Sequence, residues 1–253
     1  MNQHFSSCES HFSQHISHYL HQHDFEALRP KAVLFDMDGV LYDSMPRHAV
    51  AWQRSMADCG ILMTEADAYA TEGARGVDTI RQMVKRQRGE DISEAEAQAM
   101  YDVKTRYFHQ MDPAPVMPGI PELLEQLHRQ GLTMGVVTGS GQRPLIHRLL
   151  KDFGQYLDEG RIVTAYDVRR GKPAPDPYLM GLEKCGALSP WQALVVENAP
   201  LGVRAAHAAR IFTIAVNTGP LPVEALAREG ADLVFNSMTQ LSESWPALSC
   251  LLR

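Results

Sequence analysis

Short apolar runs alternate with amphipathic stretches along most of the chain. Ala32-Val33-Leu34-Phe35 is the first run, and Asp36-Met37-Asp38-Gly39 follows it at once. Met134 to Val137 leads into Thr138-Gly139-Ser140, and Leu194 to Val196 into Glu197-Asn198. Ile211 to Val216 and Leu233 to Phe235 also run into polar residues. Continuous apolar runs of this length read as strands buried on both faces, as in a parallel sheet. Helical patterns lie between them. Ile120 to Gln130 sets Leu123, Leu124 and Leu127 at helical spacing and stops at Gly131. Pro144 to Asp152 carries Leu145, Ile146, Leu149 and Leu150, and Pro200 to Arg210 is alanine-rich.

Strand and helix alternating in this rhythm predict an α/β fold, a Rossmann-like doubly wound parallel sheet. Such sheets bind ligands beyond the carboxyl ends of their strands. Asp36, Thr138 and Glu197 end three of the runs, so one polar site is expected from distant segments. Residues 46–115 break the rhythm. They hold no comparable strand run and read as helices over Pro46 to Asp58, Val77 to Gln87 and Ser93 to Met111. Ser93 followed by Glu96 resembles a capping box. The expected division is an extension over 1–28, a core over 29–45 and 116–253, and a helical insert over 46–115.

Composition narrows the class. The 253 residues carry a net charge of −6, which disfavours a nucleic-acid partner. No apolar run approaches the roughly 20 residues that span a bilayer, so no membrane partner is expected. The start of the chain has no basic segment followed by an apolar one, so no secretory signal is expected. The four cysteines (Cys8, Cys59, Cys185, Cys250) are scattered and read as reduced thiols of a cytoplasmic protein. Residues 1–28 contain Glu9, Asp24 and Glu26 without Lys or Arg, and six of the eleven histidines. They read as an extension or short helix outside the main core. His11, His15 and His18 share a helical face that could bind a transition metal, but a surface helix or disordered tail is the better account of them.

Chemistry concentrates in Asp36-x-Asp38. If the backbone stays extended there, both carboxylates face one side. One can serve as nucleophile or metal ligand and the other as acid/base. Taken alone, the string also fits a solvated Asp-Gly turn. Thr138 to Pro144 is glycine-rich but lacks the third glycine of a dinucleotide fingerprint, and Gly171-Lys172 is not a phosphate-binding P-loop.

The longer string DMDGVLYDS, with Val137-Thr138-Gly139-Ser140, Gly171-Lys172-Pro173-x-Pro175-Asp176 and Val195-Val196-Glu197-Asn198-Ala199-Pro200-Leu201-Gly202, resembles the haloacid dehalogenase superfamily. The resemblance covers about residues 31–240. It is to the branch with a helical cap after the first strand, near β-phosphoglucomutase-like proteins and sugar-phosphate phosphatases. It implies Asp36 as a nucleophile that becomes an aspartyl-phosphate, and Asp38 as the acid/base. It implies Thr138, Gly139 and Lys172 as phosphate-binding groups. Mg²⁺ would be held by Asp36, the Asp38 carbonyl, Glu197 and Asn198. An acid at position 38 favours phosphoester over haloacid chemistry. The family pattern has two consecutive acids where this chain has Glu197-Asn198, so the expectation is a weaker cation site or one that leans on Glu197 and Asp36.

The cap chooses the substrate, and His48, Arg75 and Lys104 are the candidates there. Mutase-like relatives carry a histidine at the position of His48. They also carry a cap arginine for the distal phosphate, where this chain has Gly76 with Arg75 one position early, which tilts the reading to hydrolysis. The expectation is a Mg²⁺-dependent phosphatase of a small phosphorylated metabolite, such as a sugar phosphate. A sugar phosphomutase, or a phosphometabolite-binding regulator weakened at Asn198, are the alternatives.

Overall fold

The computed structural model describes residues 2–252, with side chains from Ser10 onwards. Its strands are β1 (Ala32–Phe35), β2 (Thr133–Val137), β3 (Ile162–Val163), β4 (Ala193–Glu197), β5 (Phe212–Val216) and β6 (Leu233–Phe235). All pair in parallel in the order β3-β2-β1-β4-β5-β6. The order reverses between β1 and β4, the place where doubly wound sheets bind ligands. Alternate residues of each strand feed two cores. Phe35, Val136, Val196 and Ile214 point into one, while Leu34, Val137 and Val195 point into the other. The first core is covered by α6 (Ile120–Arg129), α7 (Arg143–Phe153) and α11 (Met238–Cys250), and the second by α8 (Asp176–Lys184) and α9 (Pro200–Ala208). Helix α10 (Val223–Arg228) packs near β6.

The start of the chain departs from expectation. Residues Asn2–His23 form one long helix, α1, and it is part of the main core rather than outside it. Phe12, Ile16 and Tyr19 are spaced four and three apart, so they fall on one helical stripe. All three are buried. The Tyr19 ring meets Phe212 edge-on at 5.2 Å, and its hydroxyl donates to the Arg210 carbonyl at 2.9 Å. His11 and His18 stay on the outer side with His15 half-buried. Among the described residues no group of three or more His, Cys, Asp or Glu side chains could hold a metal ion, so these histidines form no such site. Cys59, Cys185 and Cys250 are free thiols, while the side chain of Cys8 lies outside the described residues. No described helix is long and apolar enough to cross a membrane.

Between β1 and α6 the chain forms α2 (Met45–Asp58), α3 (Glu65–Ala70), α4 (Gly76–Arg88) and α5 (Glu94–His109). They bury their own cluster, including Met45, Trp52, Met56, Ile80 and Met83. Pro46 sits in the first turn of α2, and Ser93 and Glu96 cap α5 reciprocally as the sequence predicts. A second capping box, Thr64 with Asp67, starts α3, which the apolar pattern does not reveal.

Candidate active site

Strand β1 ends at Phe35 and delivers Asp36 into the crevice beside β4, with only 2% of its surface exposed. Lys172, also buried, reaches across from the loop before α8. Its ammonium donates to Asp36 Oδ1 at 2.5 Å, Glu197 Oε1 at 2.6 Å and the Val137 carbonyl at 3.0 Å. Three donors on one nitrogen leave it nowhere else to point. Glu197, at the end of β4, is fully enclosed. It accepts also from the Tyr178 hydroxyl at 2.9 Å and the backbone N–H groups of Asn198 and Ala199 at 2.8 and 2.9 Å. Burial would lower the Lys172 pKa, but Asp36 and Glu197 outweigh it and hold the ammonium above its ordinary range. Burial pushes Asp36 upwards, with Glu197 and Asp38 adding to it against the pull of Lys172.

Asp38 is tied to the insert. The Ser44 hydroxyl donates to Asp38 Oδ1 at 2.6 Å, and His48 Nε2 lies 3.0 Å from the same oxygen. Lys104 Nζ, from α5, lies 2.6 Å from His48 Nδ1. An ammonium can only donate, so Nδ1 is the acceptor and Nε2 carries the proton given to Asp38. The imidazole is therefore neutral. Burial, with Lys104 beside it, lowers the His48 pKa in agreement. Burial alone would raise Asp38, but His48 and Ser44 more than offset it and hold the carboxyl at about 2. Phe108 stacks on the His48 ring at 4.1 Å and fixes its plane.

Opposite Asp38, Asn198 donates through Nδ2 to Glu72 Oε1 at 2.7 Å. Glu72 comes from the turn between α3 and α4 and is buried. Gly39 makes this approach possible. Its φ is +77°, and a Cβ there would lie 2.0 Å from Asn198 Nδ2 and 2.9 Å from Glu72 Oε1. Asn198 Oδ1 is buried with no hydrogen-bond partner. An orphaned amide oxygen near two carboxylates is a donor set that suits a hard cation such as Mg²⁺. Burial, reinforced by Asp36, Glu197 and Asp38, pushes Glu72 well above the usual carboxylate range against the Asn198 hydrogen bond.

These groups surround a cavity of about 60 Å³, lined by Asp36, Asp38, His48, Glu72, Lys104 and Thr138 among others. Thr138 Oγ1 accepts from the Ser140 N–H at 3.0 Å, which leaves its own proton for a ligand. Gly139 lies under the insert, where a Cβ would be 2.6 Å from the Gly73 carbonyl.

A model of haloacid dehalogenase-like hydrolases matches residues 30–210. The chain belongs to the haloacid dehalogenase-like hydrolases. Hexitol phosphatase A of Escherichia coli is 33% identical over 215 residues, 85% of this chain and 94% of that one. Validoxylamine A 7′-phosphate phosphatase of Streptomyces hygroscopicus is 34% identical over 221 residues, 85% and 97% of the two chains. A solved structure from Bacteroides vulgatus, provisionally named a β-phosphoglucomutase, is 47% identical with a TM-score of 0.93, covering 97% of this chain and 99% of that one.

The fold brings Asp36, Asp38, Thr138, Gly139, Lys172, Asn198, His48 and Lys104 near one edge of the sheet. Two candidates are placed differently. The Arg75 guanidinium is bidentate on Asp78, at 2.8 and 3.0 Å, and Gly76 rather than Arg75 lines the cavity. Glu197 spends its oxygens on Lys172, Tyr178 and two backbone donors, so it anchors the lysine instead of facing the cavity. Ser44, Glu72 and Tyr178 were missed. The lone amide at position 198 signals that a carboxylate is missing there, but Glu72 lies 126 positions away and no spacing rule reaches it.

Proposed function

We propose that this hydrolase is a Mg²⁺-dependent phosphatase of a small phosphorylated metabolite, a sugar phosphate being the class that its phosphatase relatives suggest. The observation that carries the reading is the pairing of two differently poised carboxylates at one cavity. Asp36 is oriented by Lys172, and Asp38 by His48 and Ser44.

In this reading an Asp36 oxygen attacks phosphorus in line, and the bond from phosphorus to the leaving oxygen breaks. The incoming phosphate charge raises the proton affinity of Asp38, which takes a proton from solvent and gives it to that leaving oxygen. Water then attacks the aspartyl-phosphate, its proton passes to Asp38, and Asp36 is released with inorganic phosphate. The Thr138 hydroxyl donates to the phosphate, and Lys172 neutralises charge at Asp36. Asp36, the Asp38 carbonyl and Asn198 Oδ1 would hold Mg²⁺, which supplies positive charge against the phosphate oxygens when bound.

The cavity of about 60 Å³ is small for a whole sugar phosphate, and in this reading the cap moves aside to admit one. Among the described residues no arginine lines it for a second phosphate, which favours hydrolysis over phosphomutase turnover. The test is phosphate release from a panel of sugar phosphates with Mg²⁺. Release that vanishes in Asp36→Asn supports the proposal. Conversion of β-glucose 1-phosphate to glucose 6-phosphate with little free phosphate makes the enzyme a mutase instead. Binding without turnover makes it a regulator.

A further inference from the structure

We propose that Glu72 of the cap completes the divalent-cation site of the core, so that cation binding and cap closure are one coupled event. The inference rests on the Mg²⁺ reading above. Position 198 has an amide where the family pattern has an acid, and the core side chains left to face a cation are Asp36 and a neutral oxygen, because Lys172 and the neighbouring N–H groups occupy Glu197. A carboxyl group in place of the missing one is present, but it arrives from the other domain, and a bound cation would favour its ionised form. Glu72 Oε1 takes the Asn198 Nδ2 hydrogen bond at 2.7 Å, and that bond fixes the amide with Oδ1 buried and without a protein partner.

The substitution at 198 and the carboxylate at 72 explain each other. An aspartate at 198 would face Glu72 oxygen to oxygen at hydrogen-bond distance, and like charges so close in a buried site repel strongly. Asparagine accepts the neighbour by donating to it. Glu72 also lines the same cavity as Asp36 and Asp38, so its carboxylate sits with the reacting groups and not on the rim. Leaving Gly39 without a side chain keeps the space in which the three residues meet. Opening the cap removes Glu72 from the site, so linkage requires the cation to favour the closed form by the same factor that closure favours the cation.

Mg²⁺ affinity measured by calorimetry on the full chain tests this, using Glu72→Gln, Asn198→Asp and the double variant. Glutamine keeps the acceptor for Asn198 and removes only the charge. Glu72→Gln is expected to weaken Mg²⁺ binding by about tenfold or more. The double variant, which moves the carboxylate back to position 198, is expected to recover most of that loss. Thermal unfolding of each variant confirms that it is folded. Hydrogen exchange over residues 71–74 is expected to slow on adding Mg²⁺ to the wild type and not to Glu72→Gln. Wild-type affinity in Glu72→Gln, or exchange indifferent to Mg²⁺ in the wild type, overturns the coupling while leaving the cation reading intact. A wild type that binds no Mg²⁺ overturns the cation reading itself.

Discussion

Lys104→Met should make the protein more stable and the enzyme slower. Lys104 is 2% exposed, and its ammonium touches His48 Nδ1 and sits 5.1 Å from the rings of Trp52 and Phe108. Burial lowers its pKa from 10.5 to about 8. A base with a depressed pKa costs stability when protonated. The cost appears as pH falls below 10.5 and is complete below about 8. That shift corresponds to about 3 kcal/mol. Methionine keeps the apolar stem and removes the charge, but it leaves His48 Nδ1 without its donor, at about 1–2 kcal/mol. The net gain at pH 7 is about 1–2 kcal/mol, and it shrinks as pH rises towards 10. Without Lys104 beside it, His48 takes up a proton more readily. An imidazolium then grips the Asp38 carboxylate and hinders its turn as an acid, so kcat should fall about tenfold, with the acid side of the pH profile most affected. Urea unfolding at pH 7 and pH 10 and kcat against pH read both effects. A variant less stable than wild type at pH 7, or one with unchanged kcat and profile, refutes the reasoning.

Asp232 accepts from the Thr213 N–H at 2.7 Å, and burial pushes its pKa up to about 7. A raised carboxyl gives its stability below the unfolded pKa and loses it as pH rises through the folded one, so Asp232→Asn should match wild type near pH 4 and exceed it by about 4 kcal/mol above pH 7. Equal stability at both pH values in urea titrations would count against that burial. Phe12 is 5% exposed and packs 6.1 Å from Phe235, so Phe12→Ala should cost about 3–5 kcal/mol. A loss under about 1 kcal/mol would return α1 to the status of an appendage.

The fold was legible where burial repeats with a clear period. The four-residue β1 is read with its bounds intact, and the other long strands to within a residue or two. β3 was not, because two residues, Ile162 and Val163, are too few to show a period. Helix α1 was misread although its signal was present. Phe12, Ile16 and Tyr19 make a helical stripe, but histidines crowd around it and the mean polarity hides it. Asp36, Thr138 and Glu197 were legible because each stands at a strand end, whereas Lys172 stands out only through the motif that resembles the family. His48 and Lys104 were also named from the sequence, but Glu72 and Ser44 were not, since both act through contacts that only folding creates. Arg75 shows the opposite failure: a cation near the right position is spent on Asp78, three residues ahead on the same helix.

The partners of the two aspartates come from different parts of the chain. Lys172 and Glu197, which set Asp36, lie at the sheet edge, whereas His48 and Lys104, which set Asp38, come from the helices between β1 and α6. In the proposed reading the Asp36 carboxylate is therefore oriented by the core alone, while Asp38 gains its His48 partner, and the cation its Glu72 carboxylate, only when the cap is shut. On that reading, a phosphodonor whose departing group is stable without a proton, such as an acyl phosphate, would need closure only for the cation that Glu72 completes. An alkyl phosphate, whose alkoxide needs a proton, would need it for Asp38 as well. Cap closure would then weigh leaving-group basicity in addition to size or shape.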